Sequence, residues 1–373
     1  MNITISRIEK FTAVLLFCYL LCLGCSPILA QLTFQPISDT NISPPGTKAA
    51  RPDTALLSDR FYVAYLQLSP IRTFRLLVLN KDLTQSATTD LFSGNDEPTD
   101  IRIHAGYDDS FYYAFETTRF RKEFPNHLNV AYYEVTGSLP TLAISKTEIA
   151  AAMPVIIPDS LPKPGDDLLD DPTPLVYRGR FYVLTRKWES ATVTIREFSR
   201  DLSHMKTHNL DFGGTFPGLH LSVNSLVNIE GKPYLITGVK NGPPIDRRFF
   251  AYVAAVELDE TMTKPGRPIV LSRTQQYDDY VASARYSRGM LFVGYDSRDY
   301  DQPKPGPSNH CGWIKVFDPD SEFAPLGSIQ VNSSRMIDNH FTFEVLDDKL
   351  YVFYQTPQEE IRLKVIALKG NHL

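Results

Sequence analysis

The sequence predicts an all-β chain folding as a single β-propeller of six four-stranded blades closed by the N-terminal strand. Three observations carry that prediction. Six segments repeat the same apolar-aromatic strand behind a tight turn. The last repeat lacks a fourth strand while the N-terminal side holds a spare one. The composition favours strands and turns, with 19 Tyr, 22 Phe and more Pro (27) than Gly (20).

The repeat comes first because a fixed period decides the architecture. The six strands contain Arg60-Phe61-Tyr62-Val63, Ser110-Phe111-Tyr112-Tyr113, Arg180-Phe181-Tyr182-Val183, Lys232-Pro233-Tyr234-Leu235, Met290-Leu291-Phe292-Val293 and Lys349-Leu350-Tyr351-Val352. Successive copies are 50 to 70 residues apart. Each follows a short apolar strand, at residues 54–57, 101–105, 174–177, 225–229, 281–286 and 341–346. Polar pairs such as Ser58-Asp59, Arg178-Gly179, Glu230-Gly231 and Asp347-Asp348 supply the hairpin turns between them. A third strand follows in every copy, and a fourth in the first five. Asn80-Lys81-Asp82-Leu83 and Ser199-Arg200-Asp201-Leu202 show how a polar turn closed by an apolar residue joins those two.

Leu32-Thr33-Phe34-Gln35-Pro36-Ile37 is the spare strand. Pairing it with the last repeat closes the ring and removes open edges. A count of five or seven blades, an open solenoid and two packed sandwiches are the competing arrangements.

The first 30 residues read as targeting rather than fold. Arg7 and Lys10 precede a 13-residue apolar run at 11–23, short of the roughly 20 residues that span a bilayer. Two readings stand side by side: a signal peptide over 1–30 cut after Ala30, or a lipoprotein signal over 1–24 with Cys25 lipidated. Either leaves 31–373 as the propeller domain of an exported protein, whether periplasmic, lipid-anchored at the cell surface or extracellular. Membrane contact is expected only through that lipid. Of the four cysteines, Cys311 alone remains in the domain, so stability is expected from the core and not from disulfides. A net charge of −5 without a basic stripe argues against nucleic acid.

Connections between second and third strands look long, at 66–73, 116–127, 239–248 and 296–312, and residues 145–171 form the longest link, with one helical turn expected at 148–153. Long loops on a rigid scaffold host binding sites. On that face each inner strand opens through an acid or amide: Asp53, Asp100, Asp171, Asn224, Asp279 and Asn339. Arg51, Arg102, His104 and Arg285 lie beside them. Together they make a funnel suited to a polar ligand, and carboxylate and amide oxygens are the donors Ca²⁺ takes. No other cofactor or metal is indicated: His310-Cys311 stands without further ligands. Asp and Asn also cap turns through their own side chains, the architectural reading of the same six positions.

Arg51-Pro52-Asp53-Thr54-Ala55-Leu56-Leu57 and Asp171-Pro172-Thr173-Pro174-Leu175 resemble the blade openings of glycosidase-type β-propellers. The resemblance implies a base or orienting role for Asp53 and Asp171. The general acid that such chemistry needs has one candidate, Glu97, because Asn224 stands where those families carry a glutamate. No Gly-x-Ser-x-Gly elbow and no phosphate-binding glycine loop occurs. The reading is a binding propeller for a carbohydrate, ion or protein on its long-loop face. The alternative is a glycoside hydrolase using Asp53, Asp171 and Glu97.

Overall fold

The computed structural model describes residues 32–92, 97–106, 110–118, 127–136, 139–150, 167–187, 190–213, 219–241, 251–273, 277–299, 310–331 and 341–370. Residues 1–31, Cys25 among them, lie outside this set, as does Asn339. Among the described residues no helix is long and apolar enough to cross a membrane.

The fold is a β-propeller of four-stranded meanders. β1 (Thr33–Asn41) stands alone at the N-terminal side. The first meander is β2 (Lys48–Leu57), β3 (Arg60–Ser69), β4 (Thr73–Leu79) and β5 (Gln85–Phe92). The second is β6 (Glu97–Ala105), β7 (Ser110–Thr118), β8 (His127–Thr136) and β9 (Leu139–Ala150). The third is β10 (Asp167–Tyr177), β11 (Arg180–Lys187), β12 (Thr192–Phe198) and β13 (His204–Asp211). The fourth is β14 (Leu219–Ile229), β15 (Lys232–Asn241), β16 (Ala251–Leu258) and β17 (Pro265–Arg273). The fifth is β18 (Tyr277–Ser287), β19 (Met290–Asp299), β20 (His310–Asp318) and β21 (Ala324–Gln330). The chain ends in β22 (Phe341–Leu346), β23 (Lys349–Gln355) and β24 (Ile361–Lys369).

Hydrogen bonding groups these strands into five sheets, which corrects the expectation of six separate blades. Four sheets have four strands. The fifth has eight, because β16 and β18 meet in one parallel pairing, Ala251 with Asp278, that joins the fourth and fifth meanders. The six inner strands β2, β6, β10, β14, β18 and β22 nevertheless contact one another in a closed circle. Closure is as the sequence suggested: β1 adds antiparallel to β24, from Thr33 opposite Lys369 to Asn41 opposite Arg362.

The turns explain the local folding. Ser58 and Asp59 both have positive φ (46° and 61°), and Arg178-Gly179, Glu230-Gly231 and Arg288-Gly289 repeat that pattern. This is the twist that two-residue hairpins require. A second turn recurs between third and fourth strands. Leu83, Leu202, Met262 and Phe323 hold positive φ of 53–67° there. Asp82, Asp201 and Asp259 accept the backbone N–H of Thr84, Ser203 and Thr263 in three of these turns. Leu202, Met262 and Phe323 are buried, so apolar burial offsets the left-handed backbone.

The core lies between neighbouring meanders. Ala55, Tyr62 and Leu76 of the first pack with Ile101 and Ile103 of the second. Leu175 and Leu184 of the third meet Leu226 and Leu235 of the fourth. Phe292 and Ile314 of the fifth meet Phe341 and Phe343 of the last, with Leu32 beside them. The fourth and fifth pack face to face in the same way despite their shared sheet. Outermost strands carry prolines, at Pro36, Pro140, Pro265, Pro268 and Pro325, which blunt the edges against pairing with other chains.

Strands run further than the sequence suggested, so the loops are shorter. Only residues 70–72 separate β3 from β4. Residues 148–150, expected in a helical turn, belong to β9, where Glu148 pairs with Asn129.

Candidate functional site

The inner strands line the propeller axis, and one polar position recurs on them. Four residues before the end of β2, β10, β14, β18 and β22 stand Asp53, Thr173, Ser225, Ser283 and Thr342. All five are buried. Buried polar side chains need partners, and here several partners belong to another inner strand. Asp53 Oδ2 accepts the Ile103 N–H at 2.7 Å, and Ser225 Oγ accepts the Ala284 N–H at 3.2 Å. The Thr342 and Thr54 hydroxyls are 3.3 Å apart. Among the described residues no ladder joins neighbouring inner strands, so this belt supplies cross-strand bonds. The sequence reading missed it because four of its members are Ser and Thr, inconspicuous among strand residues.

Of the strand-opening acids and amides, Asp53 falls in the belt. Asn224 lies five residues before Ile229, Asp171 six before Tyr177 and Asp279 eight before Ser287. By strand register they are staggered along the channel. The side chains of Glu97, Asp100, Asp171, Asn224 and Asp279 lie outside the described residues, although their backbones are placed in β6, β10, β14 and β18. Arg51 has φ of 52° at an irregularity of β2, and its N–H donates to Gln355 Oε1 at 3.2 Å. Arg102 is half-buried on β6.

Arg285 organises the charge at the axis. Its Nε donates to Glu344 Oε1 at 2.9 Å, and its Nη1 donates to Ser283 Oγ and Ala284 O, each at 3.0 Å. Its Nη2 donates to Thr54 O at 3.0 Å and reaches Thr342 Oγ1 at 3.5 Å, with Asp53 Oδ1 at 3.9 Å. A guanidinium has five N–H donors, and these contacts engage all of them. Glu344, which the sequence reading did not nominate, also accepts from Thr54 Oγ1 at 3.0 Å. A buried glutamate on the inner strand of the last repeat was the available signal. Burial pushes its carboxyl above the usual range, against the pull of Arg285. Burial also works against the Arg285 charge, but Glu344 and Asp53 outweigh it and hold the guanidinium protonated.

His104 completes the cluster. Its Nδ1 lies 2.7 Å from Ala105 O, so Nδ1 carries the proton and Nε2 is an acceptor. Burial lowers its pKa to about 4, with Arg285 adding to the effect, so the ring is neutral at physiological pH. A cavity of about 290 Å³ lies on the axis, lined by residues of all six inner strands. Thr54, His104, Asn228, Ala284, Arg285 and Glu344 are among them. These residues belong to the halves of the inner strands nearest the hairpin turns, away from the strand openings. Among the described residues no group of three or more His, Cys, Asp or Glu is placed to hold a metal ion.

No protein-family model and no curated protein matches the chain. Solved structures do. A protein of unknown function from Dyadobacter fermentans aligns over 90% of this chain and 99% of its own, with a TM-score of 0.60 and 9% identity. This chain is a β-propeller with relatives in fold alone at that distance. Glycosidase-type propellers are also among the similar structures. An endo-arabinase from Bacteroides thetaiotaomicron covers 86% of this chain and 93% of its own, at 14% identity and a TM-score of 0.43. A β-1,3-galactosidase of glycoside hydrolase family 43 covers 74% and 93%, at 13% identity and a TM-score of 0.46.

Proposed function

We propose that this chain is an exported, envelope-associated β-propeller that works by binding a ligand on its axis, not by hydrolysis. The observation that carries this reading is the state of the channel carboxylates. Asp53 is bonded to the Ile103 N–H and faces Arg285, while Glu344 takes bonds from Arg285 and Thr54. A hydrolytic pair needs one carboxyl free to lend a proton and another free to attack or activate water. These two hold the inner strands together instead. The inner strands surround one axis, and the cavity on it, about 290 Å³, has room for a small ligand.

In this reading the leader delivers the domain across the membrane, by peptidase cleavage or by lipidation of Cys25. Carbohydrate, an ion such as Ca²⁺ or a protein segment are the ligand classes for the long-loop face, with Asp53, Asp100, Asp171, Asn224, Asp279 and Asn339 as the candidate ligand-binding residues. The test pairs calorimetric binding of residues 31–373 to an oligosaccharide panel, with and without Ca²⁺, with a reducing-end assay on the same samples. Binding without cleavage is expected. New reducing ends that vanish in Asp53→Asn or Asp171→Asn would overturn the proposal and make the chain a glycosidase.

A further inference from the structure

The hairpin half of the channel has two unengaged acceptors, while the Thr54, Tyr286 and Arg285 donors around it are already bonded. Glu344 is 7% exposed, and only its Oε1 is bonded; among the described residues nothing donates to Oε2. His104 likewise offers Nε2, with no donor to it among the described residues. Both side chains line the 290 Å³ cavity. The cation beside them has no donor left, since all five Arg285 N–H groups are engaged. Arg102 is not among the lining residues. The remaining walls are mostly aliphatic, with Asn228 exposed at the end nearest the hairpin turns. Away from Asn228, whose amide both donates and accepts, the cavity presents the two free acceptors and apolar surface.

A ligand should match that inventory. A sugar brings an acceptor oxygen with every hydroxyl donor, and those oxygens would be desolvated without partners. A primary ammonium brings three donors and no acceptor. The volume is near the lower end for small-molecule sites, about 300 Å³, which suits a short aliphatic stem. We infer that the hairpin half of the channel is a subsite for a small primary ammonium group on an aliphatic stem, held by Glu344 Oε2 and His104 Nε2. This rests on the reading of the axis as a binding site and names the ligand chemistry of its inner half.

The experiment titrates the chain, residues 31–373, with n-butylammonium and, separately, with the uncharged n-pentanol, following thermal shift and side-chain NMR signals. His104→Phe removes one acceptor without unpairing Arg285, Val176→Trp, at a half-buried lining residue outside the core clusters, fills the cavity, and Glu344→Gln replaces the carboxylate. The expected result is saturable butylammonium binding, weaker by about tenfold in His104→Phe and abolished in Val176→Trp. Should Glu344→Gln fail to fold, these two variants decide alone. Pentanol binding as tightly as butylammonium, with loss in Val176→Trp, overturns the ammonium assignment while leaving an axial binding site in place. Butylammonium binding unchanged in Val176→Trp, or no binding of either probe, overturns the subsite itself.

Discussion

Arg285 Nε and Glu344 Oε1 are 2.9 Å apart across the gap between β18 and β22, and the same guanidinium reaches Thr54 O on β2. One side chain thus joins three inner strands where the ring closes. Removing one partner of a buried pair strands the other charge, at a cost of about 3–5 kcal/mol. Arg285→Met should lose roughly that much stability, since it leaves both Glu344 and Asp53 uncompensated. The double variant Arg285→Met/Glu344→Leu should recover the part of the loss that comes from Glu344, leaving the part from Asp53. Urea denaturation of the two single variants and the double checks this; additive losses would show that the pair is not coupled.

Gly294 on β19 tests packing between the fifth meander and the last strands. A Cβ there would lie 2.8 Å from both the Phe341 and Phe343 rings. Those rings are buried at 1% and 0% and have little room to withdraw. Gly294→Ala should therefore destabilise by about 1–3 kcal/mol through overpacking. A thermal midpoint equal to the wild type would mean the rings yield more easily than their burial implies.

Ring closure has its own test at the N-terminal strand. Asp39 on β1 accepts from Tyr354 Oη at 2.7 Å and from Arg362 Nε at 2.8 Å. Asp39→Ala should cost about 1–2 kcal/mol, because the Tyr354 hydroxyl loses its partner in a mostly buried site. Deleting residues 32–41 should do far more. It removes Leu32 from the core and uncovers the edge of β24, an invitation to pairing with other chains. Size-exclusion chromatography should show association of the truncated chain while Asp39→Ala stays unassociated.

How far these features were legible in the sequence depended on whether periodicity or position carried them. Hairpins such as Leu57-Ser58-Asp59-Arg60 were readable because turn residues interrupt apolar runs at a regular interval, and the spare strand at Thr33 announced the closure. The merging of the fourth and fifth meanders was not readable, since it hangs on one backbone pairing between Ala251 and Asp278. The site was half legible. Asp53, Arg285 and His104 stood out by charge at strand positions. Glu344 did not, because it sits beyond the strand opening that drew attention to the acids, inside an otherwise aromatic strand, Phe341-Thr342-Phe343-Glu344. The Ser/Thr members of the belt carry no distinctive chemistry until register places them in one layer.

The last prediction concerns pH. His104 titrates near 4 in the folded chain and near its ordinary 6.5 when unfolded, chiefly because burial disfavours the charged ring. Between those values the unfolded state holds more protons, so stability falls as pH drops. The contribution is fully present above pH 6.5, is lost progressively down to about pH 4, and is level below that. At 1.36 kcal/mol per pKa unit the full loss is roughly 3 kcal/mol, and less to the extent that the partly exposed ring still meets water. Urea denaturation at pH 7.0, 5.5 and 4.5 should show this slope in the wild type. It should be shallower in His104→Phe, whose other titrating groups are unchanged. Equal slopes in the two proteins would mean that His104 titrates in the folded chain as it does in the unfolded one, near 6.5, so that burial does not hold it neutral and below that pH its Nε2 would be a donor to the channel in place of an acceptor.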